Sequence, residues 1–299
     1  MGIASVSGLR FSYGDIVALD GIDLEIPSGP VGLVGANGAG KTTFLRLLLG
    51  ILSPGTGTIE VLGAPVPGGI LTVRDRVGYM PEGACLPGDQ TAADFVGYAA
   101  ELAGLPVRAA RQRASDVLTL VGLHEERFRP IAGFSTGMLQ RAKLAQAIVH
   151  DPELVLLDEP TAGLDPEGRE EMLELITRLH GFGINALVSS HVLIDIEQTC
   201  EWVVMLDGGR VLRSGPLTDL SVAEEASVQV LGDTADFVDG LQRAGGVVSA
   251  DGDALRVVME GGDPFDLVRD VAAATGTAIR RLGQRRITLE DVFLEGDDA

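Results

Sequence analysis

Residues 3–26 fall into two stretches in which apolar and polar positions alternate, parted by Tyr13, Gly14 and Asp15, and this predicts two strands joined by a turn. Residues 31–34 form a short apolar run that enters a glycine-rich loop. A helix is expected over 41–49, ended by Gly50 and Pro54. Between 91 and 129 the apolar positions recur at helical spacing in two segments parted near 104–106, with no strand pattern between them. A helix over 136–150, stopped by Asp151 and Pro152, precedes the strongly apolar strand 154–157. Helix 166–180, strand 185–189, helix 192–200 and strand 203–206 continue the alternation.

That order implies an α/β fold: a mostly parallel core sheet covered by helices, an N-terminal antiparallel β-subdomain and a helical insert at 91–130. After residue 220 the pattern becomes strand (228–231), helix (234–244), strands (246–249 and 254–259), helix (264–274) and strand (278–282). A βαββαβ order of this kind is that of a small α+β ferredoxin-like unit. The expected division is therefore 1–220 and 221–299.

Charge narrows the functions open to such a fold. With 23 basic and 43 acidic residues the net charge is −20, which repels phosphate backbones and anionic headgroups and argues against nucleic-acid or direct lipid binding. No apolar run approaches the roughly 18 residues needed to cross a bilayer. Cys85 and Cys200 have no metal-ligand spacing and no secretory segment precedes them, so a reducing cytoplasm is expected.

Gly35, Ala36, Asn37, Gly38, Ala39, Gly40, Lys41 and Thr42 satisfy the P-loop pattern, and they stand between a predicted strand and a predicted helix, as that pattern requires. The glycines let backbone N–H groups turn toward the phosphates of ATP, and the helix N-terminus adds partial positive charge. Lys41 would reach the β- and γ-phosphates, the Thr42 hydroxyl would ligate Mg²⁺, and Thr43 extends the same phosphate-binding turn. Strand 154–157 delivers Asp158 and Glu159 to the carboxyl edge of the sheet, where α/β proteins bind ligands. There Asp158 would hold Mg²⁺ and Glu159 would polarise an attacking water.

Phe134, Ser135, Thr136, Gly137 and Met138, with Gln140 and Arg141 after them, resemble the signature segment of ABC ATPases. The Ser-Thr-Gly-Met form is that of many two-component bacterial and archaeal exporters. The resemblance covers residues 1 to about 220 and implies a dimer in which each ATP is sandwiched between the P-loop of one subunit and the signature of the other. Ser135, Thr136 and Gly137 would then face the γ-phosphate held by a second subunit, an identical copy or a close paralogue. Asp165 resembles the D-loop aspartate of the dimer interface, His191 the switch histidine that contacts the γ-phosphate and the attacking water, and Tyr13 the aromatic that stacks on adenine. Glu82 stands where many members carry a glutamine that ligates Mg²⁺ and senses the membrane partner; a carboxylate oxygen would also serve. The C-terminal unit, through 287–293, is similar to the accessory domain of some exporter ATPases. His124, His150 and His180 have no motif around them and are read as surface or satisfied helix-end residues.

The resemblance implies an ATP-binding and hydrolysing subunit that powers translocation, with export favoured, through a separate integral-membrane permease. The chain would be cytoplasmic, held on the inner face of the membrane by that permease, with the helical insert and the loop at Glu82 as docking points. Two other readings remain. A soluble ABC ATPase acting on the ribosome or DNA is opposed by the acidity and by the lack of a second cassette, long coiled coil or zinc module. A catalytically silent regulatory subunit is opposed by the retention of Lys41, Thr42, Asp158, Glu159, Ser135 and His191. The transported substrate is not legible in this chain.

Overall fold

The computed structural model describes residues 2–220, 225–232, 234–259 and 263–285. The 287–293 segment named above lies outside them. The chain divides into two compact units, Met1–Pro216 and Leu217–Ala299, so the break falls slightly ahead of the 220/221 boundary expected from the sequence.

The first unit begins β1 (Ala4–Tyr13), β2 (Ile16–Ile26), β3 (Pro30–Val34), α1 (Lys41–Leu48), β4 (Thr56–Val61), β5 (Ala64–Val66), α2 (Ile70–Arg76) and β6 (Val77–Met80). It continues α3 (Ala92–Leu102), α4 (Val107–Leu120), α5 (Thr136–Ile148), β7 (Leu154–Asp158), α6 (Pro166–Gly181), β8 (Asn185–Ser190), α7 (Leu193–Thr199), β9 (Trp202–Asp207) and β10 (Arg210–Pro216). Two sheets result. One is antiparallel, in the order β2-β1-β4-β5. The other has six strands in the order β10-β9-β3-β8-β7-β6, parallel throughout except for β10 at its edge.

β3 and β7 are buried at every position, which explains their continuous apolar runs: a parallel strand covered on both faces has no side to leave polar. Leu19 and Ile22 of the antiparallel sheet, Phe44 and Leu45 of α1, and Leu154, Leu156, Leu187 and Val204 of the parallel sheet share one core. Burying side chains of this size contributes roughly 2 kcal/mol each. In the helical insert, α3 and α4 part at Gly104, which has φ +93°, and an isolated bridge between Thr91 and Pro130 closes its base.

The sequence pattern assigns nothing to 51–90, where the structure has β4, β5, α2 and β6. β4 buries only Ile59 and Val61, and β5 is three residues long, so the alternation each carries is too short to stand out. β10 leaves no pattern in the sequence for a related reason. It is an edge strand, exposed over most of its length, and edges need no apolar face.

The second unit comprises α8 (Leu217–Leu220), β11 (Glu225–Leu231), α9 (Ala235–Arg243), β12 (Gly246–Asp251), β13 (Ala254–Met259), α10 (Pro264–Thr275) and β14 (Ala278–Arg285). Its antiparallel sheet has the order β12-β13-β11-β14, the ferredoxin-like arrangement. Phe237 and Leu241 of α9 and Val268 and Val271 of α10 pack on Ala226, Val228 and Val257.

The strand order is what assembles the candidate site. In the parallel register Val34 lies beside Ser190, and Ser189 beside Asp158. The segments that follow β3, β7 and β8 therefore leave the sheet side by side at its carboxyl edge, carrying residues 35–43, 159 and 191 to one place.

Candidate functional site

The loop between β3 and α1 is shaped by close backbone approach. A Cβ on Gly35 would come within 2.3 Å of the Leu206 carbonyl oxygen, and Gly40, the N-cap of α1, has φ +104°. No side chain caps α1, so its first N–H groups remain available to an anion. Lys41 folds back into this loop, its Nζ donating to Gly35 O at 2.7 Å and Ala36 O at 3.4 Å. The same Nζ lies 3.4 Å from Glu159 Oε1.

Two carboxylates follow β7. Asp158 Oδ1 accepts from Thr42 Oγ1 at 3.1 Å and from Ser189 Oγ at 2.8 Å, while Tyr79 Oη approaches its Oδ2 at 3.5 Å. Burial, and then the Asp158 charge, push the Tyr79 phenol above its ordinary pKa, so it stays a protonated donor. Glu159 adopts a left-handed backbone, φ +51°, and its N–H is shared by Ser189 O at 3.2 Å and Ser189 Oγ at 3.0 Å. Its Oε2 meets His191 Nδ1 at 2.8 Å. Lys41, Thr42, Asp158, Glu159 and His191 are thus one connected group. Tyr13 stands at its margin with its ring half exposed, edge-on to Phe11 and with Oη 3.5 Å from Thr43 Oγ1.

The donor set fits a hard divalent cation. Thr42 and Asp158 present oxygens 3.1 Å apart, and among the described residues no three His, Cys, Asp or Glu side chains converge. A cation here would take one or two protein oxygens and complete its shell with phosphate and water, which is how Mg²⁺ is usually held.

Ser135, Thr136, Gly137 and Asp165 form a second group. Ser135 caps α5, its Oγ accepting from Met138 N at 3.3 Å, and Asp165 caps α6, its Oδ1 accepting from Gly168 N at 2.9 Å. They line a cleft of about 420 Å³ with Gly163 and Arg141. None of the hydrogen bonds or ion pairs among the described residues joins Ser135, Thr136 or Gly137 to the 35–43 loop. What links the regions is indirect: Gln140 Nε2 donates to Ala162 O at 3.0 Å, and the buried Asp195 of α7 accepts from Thr161 Oγ1 at 2.8 Å and Arg169 Nε at 2.6 Å.

Glu82, expected beside Thr42 and Asp158, stands apart from their hydrogen bonds. It is exposed in the loop after β6, and its charge acts on the buried Lys143 ammonium, which donates to Pro81 O at 3.2 Å. His150 also departs from expectation: it is half-buried, its Nε2 has no partner, and burial holds its pKa down. His124 does find partners, in Thr119 and Arg127. Burial pushes the Cys200 thiol up to about 12, so it is an inert apolar group.

Ser189, Tyr79, Thr161 and Asp195 were not singled out from the sequence. A serine following an apolar run two residues before His191 was the available signal for Ser189; the others become visible only through contacts between distant segments.

The ABC transporter family model matches residues 19–162. An uncharacterised ABC transporter ATP-binding protein of Nostoc sp. is 37% identical over 284 residues, covering 93% of this chain and 83% of that protein. The Nod factor export ATP-binding protein I of Ralstonia nicotianae is 34% identical over 300 residues, covering 98% and 92%. Among solved structures, cbiO1 of Clostridium perfringens, part of the ABC transporter complex cbiONQ, superposes with a TM-score of 0.66 at 28% identity, over 73% of this chain and 90% of that one.

Proposed function

From the premise that this chain belongs to the ABC transporter ATP-binding proteins, we propose that it hydrolyses ATP in a dimer and so drives a membrane permease carried on a separate chain. The observation that carries this reading is the connected group Lys41, Thr42, Asp158, Glu159 and His191 at the carboxyl edge of the parallel sheet.

Lys41 turns from Gly35 O toward the β- and γ-phosphates, and the open N–H groups of α1 bind the phosphate chain. Thr42 and Asp158 would hold Mg²⁺, with Glu82 as a candidate further oxygen; when bound, the ion would neutralise charge developing on the phosphates. Glu159 accepts a proton from the attacking water, and His191, bonded to its Oε2, orients that carboxylate and contacts the γ-phosphate. Tyr13 offers its exposed ring to adenine. Ser135, Thr136, Gly137 and Asp165 serve the nucleotide of the other subunit, a role consistent with their separation from the P-loop within one chain.

Closing on ATP and opening after hydrolysis would move the permease between two states. The helical insert, with Tyr98 and Leu102 exposed on α3, is the docking face, and attachment there would place the chain at the cytoplasmic side of the membrane. Export is favoured by the name of the Nod factor relative. No helix among the described residues is long and apolar enough to cross a membrane, so the pathway itself would come from the partner. The test is size-exclusion chromatography with light scattering on Glu159→Gln. With Mg²⁺ and ATP it becomes a dimer; a chain that binds ATP yet stays monomeric overturns the composite site.

A further inference from the structure

We infer that Ser189 is a positioning residue of this site: one hydroxyl sets both the carboxylate of Asp158 and the backbone of Glu159. The inference rests on the nucleotide-hydrolysing reading above and extends it to a residue outside the P-loop, signature and switch motifs.

Ser189 lies on β8, which runs between β3 and β7, and is 0% exposed. Its hydroxyl proton is committed to Asp158 Oδ1 at 2.8 Å, so the Oγ lone pairs face the Glu159 N–H at 3.0 Å. A hydroxyl has one proton and two lone pairs, and here the donor and acceptor roles are both fixed by groups that cannot exchange them. Asp158 Oδ1 also accepts from Thr42 Oγ1, so Ser189 and Thr42 together fix the carboxylate that the cation would meet.

Glu159 needs such a partner. A non-glycine residue at φ +51° is disfavoured, and surrounding contacts must overdetermine it. The Ser189 carbonyl alone is a long partner at 3.2 Å, and the hydroxyl supplies the second. The left-handed turn is what takes the Glu159 side chain off the line of β7 toward Lys41 and His191. Removing the Ser189 hydroxyl would leave a buried carboxylate oxygen short of one donor and loosen the turn that aims the base. Neither change removes a group of the 35–43 loop itself, which meets the two carboxylates through Thr42 Oγ1 and Lys41 Nζ.

The test compares the full chain with Ser189→Ala and Ser189→Thr by steady-state hydrolysis, by fluorescent-nucleotide titration with and without Mg²⁺, and by thermal melting. In Ser189→Ala, kcat falls roughly tenfold or more and the Mg²⁺ concentration for half-maximal nucleotide binding rises several-fold, the scale of one buried charge-assisted hydrogen bond. Nucleotide binding without Mg²⁺ stays as in the parent, and Ser189→Thr, which keeps the hydroxyl, recovers most of kcat. Three results would overturn the inference: an unchanged kcat and Mg²⁺ dependence in Ser189→Ala, an equal loss of binding with and without Mg²⁺, or a Ser189→Thr that melts like the parent yet behaves like Ser189→Ala. The parent is titrated in the same series. No nucleotide binding there would sink the nucleotide reading itself, whereas a binding parent with an indifferent Ser189→Ala would sink only the role of Ser189.

Discussion

Lys41 Nζ lies 3.4 Å from Glu159 Oε1, and the two side chains are each 7% exposed. The P-loop cation and the proposed base therefore neutralise each other, without the alignment of a true hydrogen bond, since Oε1 otherwise has no partner. An incoming phosphate competes with Glu159 for that ammonium. In Glu159→Gln the competitor loses its charge, so nucleotide binding is retained or tightened while phosphate release falls by about 10²-fold or more. Titration with a fluorescent ATP analogue beside a phosphate-release assay checks both halves. Binding weakened along with turnover would show that Glu159 supports the loop and does not restrain Lys41.

Asp195 makes the second prediction, through its contacts with Thr161 and Arg169. It is 2% exposed and joins α7, which follows His191, to α6, which Asp165 caps. Asp195→Ala leaves a buried hydroxyl and a partly buried guanidinium without their acceptor and costs about 3 kcal/mol. A urea midpoint shift at unchanged slope is the readout. Asp195→Asn keeps an acceptor for Thr161 and costs less; equal losses in the two variants would point to packing as the cause.

Lys143 gives a prediction in pH. Burial pulls its pKa below the ordinary 10.5, against smaller opposing effects from Cys85, Glu82 and Asp158. The native state therefore binds this proton less well than the unfolded chain. Below the lowered pKa the buried ammonium subtracts stability, and the deficit is relieved as pH rises from that pKa toward 10.5. Lys143→Met removes the deficit and is expected to stabilise the chain near neutral pH by roughly 1 kcal/mol. Melting curves from pH 7 upward, set against the parent, are the check: the gap should narrow with rising pH, and a widening gap would reverse the sign.

The parts of the fold legible in the sequence are those whose burial is two-sided or strictly periodic. The apolar runs at 31–34 and 154–157 could be little else than central parallel strands, and both are. The break between α3 and α4 showed as Gly104 and Pro106. Strands β4 and β10, exposed over much of their length, left no such trace. In the site, Lys41, Thr42, Asp158 and Glu159 were legible because a chemical motif fixes their order along the chain. Ser189 was not, because its partners Asp158 and Glu159 are neighbours only across the register of β7 and β8. Glu82 was placed by the resemblance alone, at the position where many family members carry a glutamine; it is exposed in the loop after β6, where its charge acts on Lys143.

The separation of the two residue groups makes the last prediction. If the 35–43 loop of one subunit and Ser135 with Gly137 of another complete a single site, damage to the two halves placed on different subunits falls in one and the same site of the mixed dimer. Lys41→Ala alone removes the phosphate grip from both sites of a homodimer, and Ser135→Arg alone blocks both signature faces. In a dimer carrying one of each, the two lesions meet in one site and the other site is intact. Random mixing of the two inactive chains should then restore about one quarter of the parental turnover, from half the dimers each with one working site, if the sites act independently. The measurement is phosphate release from the separate variants and from their mixture after co-refolding. A mixture no more active than its components, in chains that still bind each other, would mean that both sites must fire together or that the two groups never share a nucleotide. Binding of labelled ATP to the Ser135→Arg homodimer separates those outcomes: a composite site needs an intact loop and an intact signature around each tightly held nucleotide, so that homodimer holds none, whereas a loop that binds alone fills both.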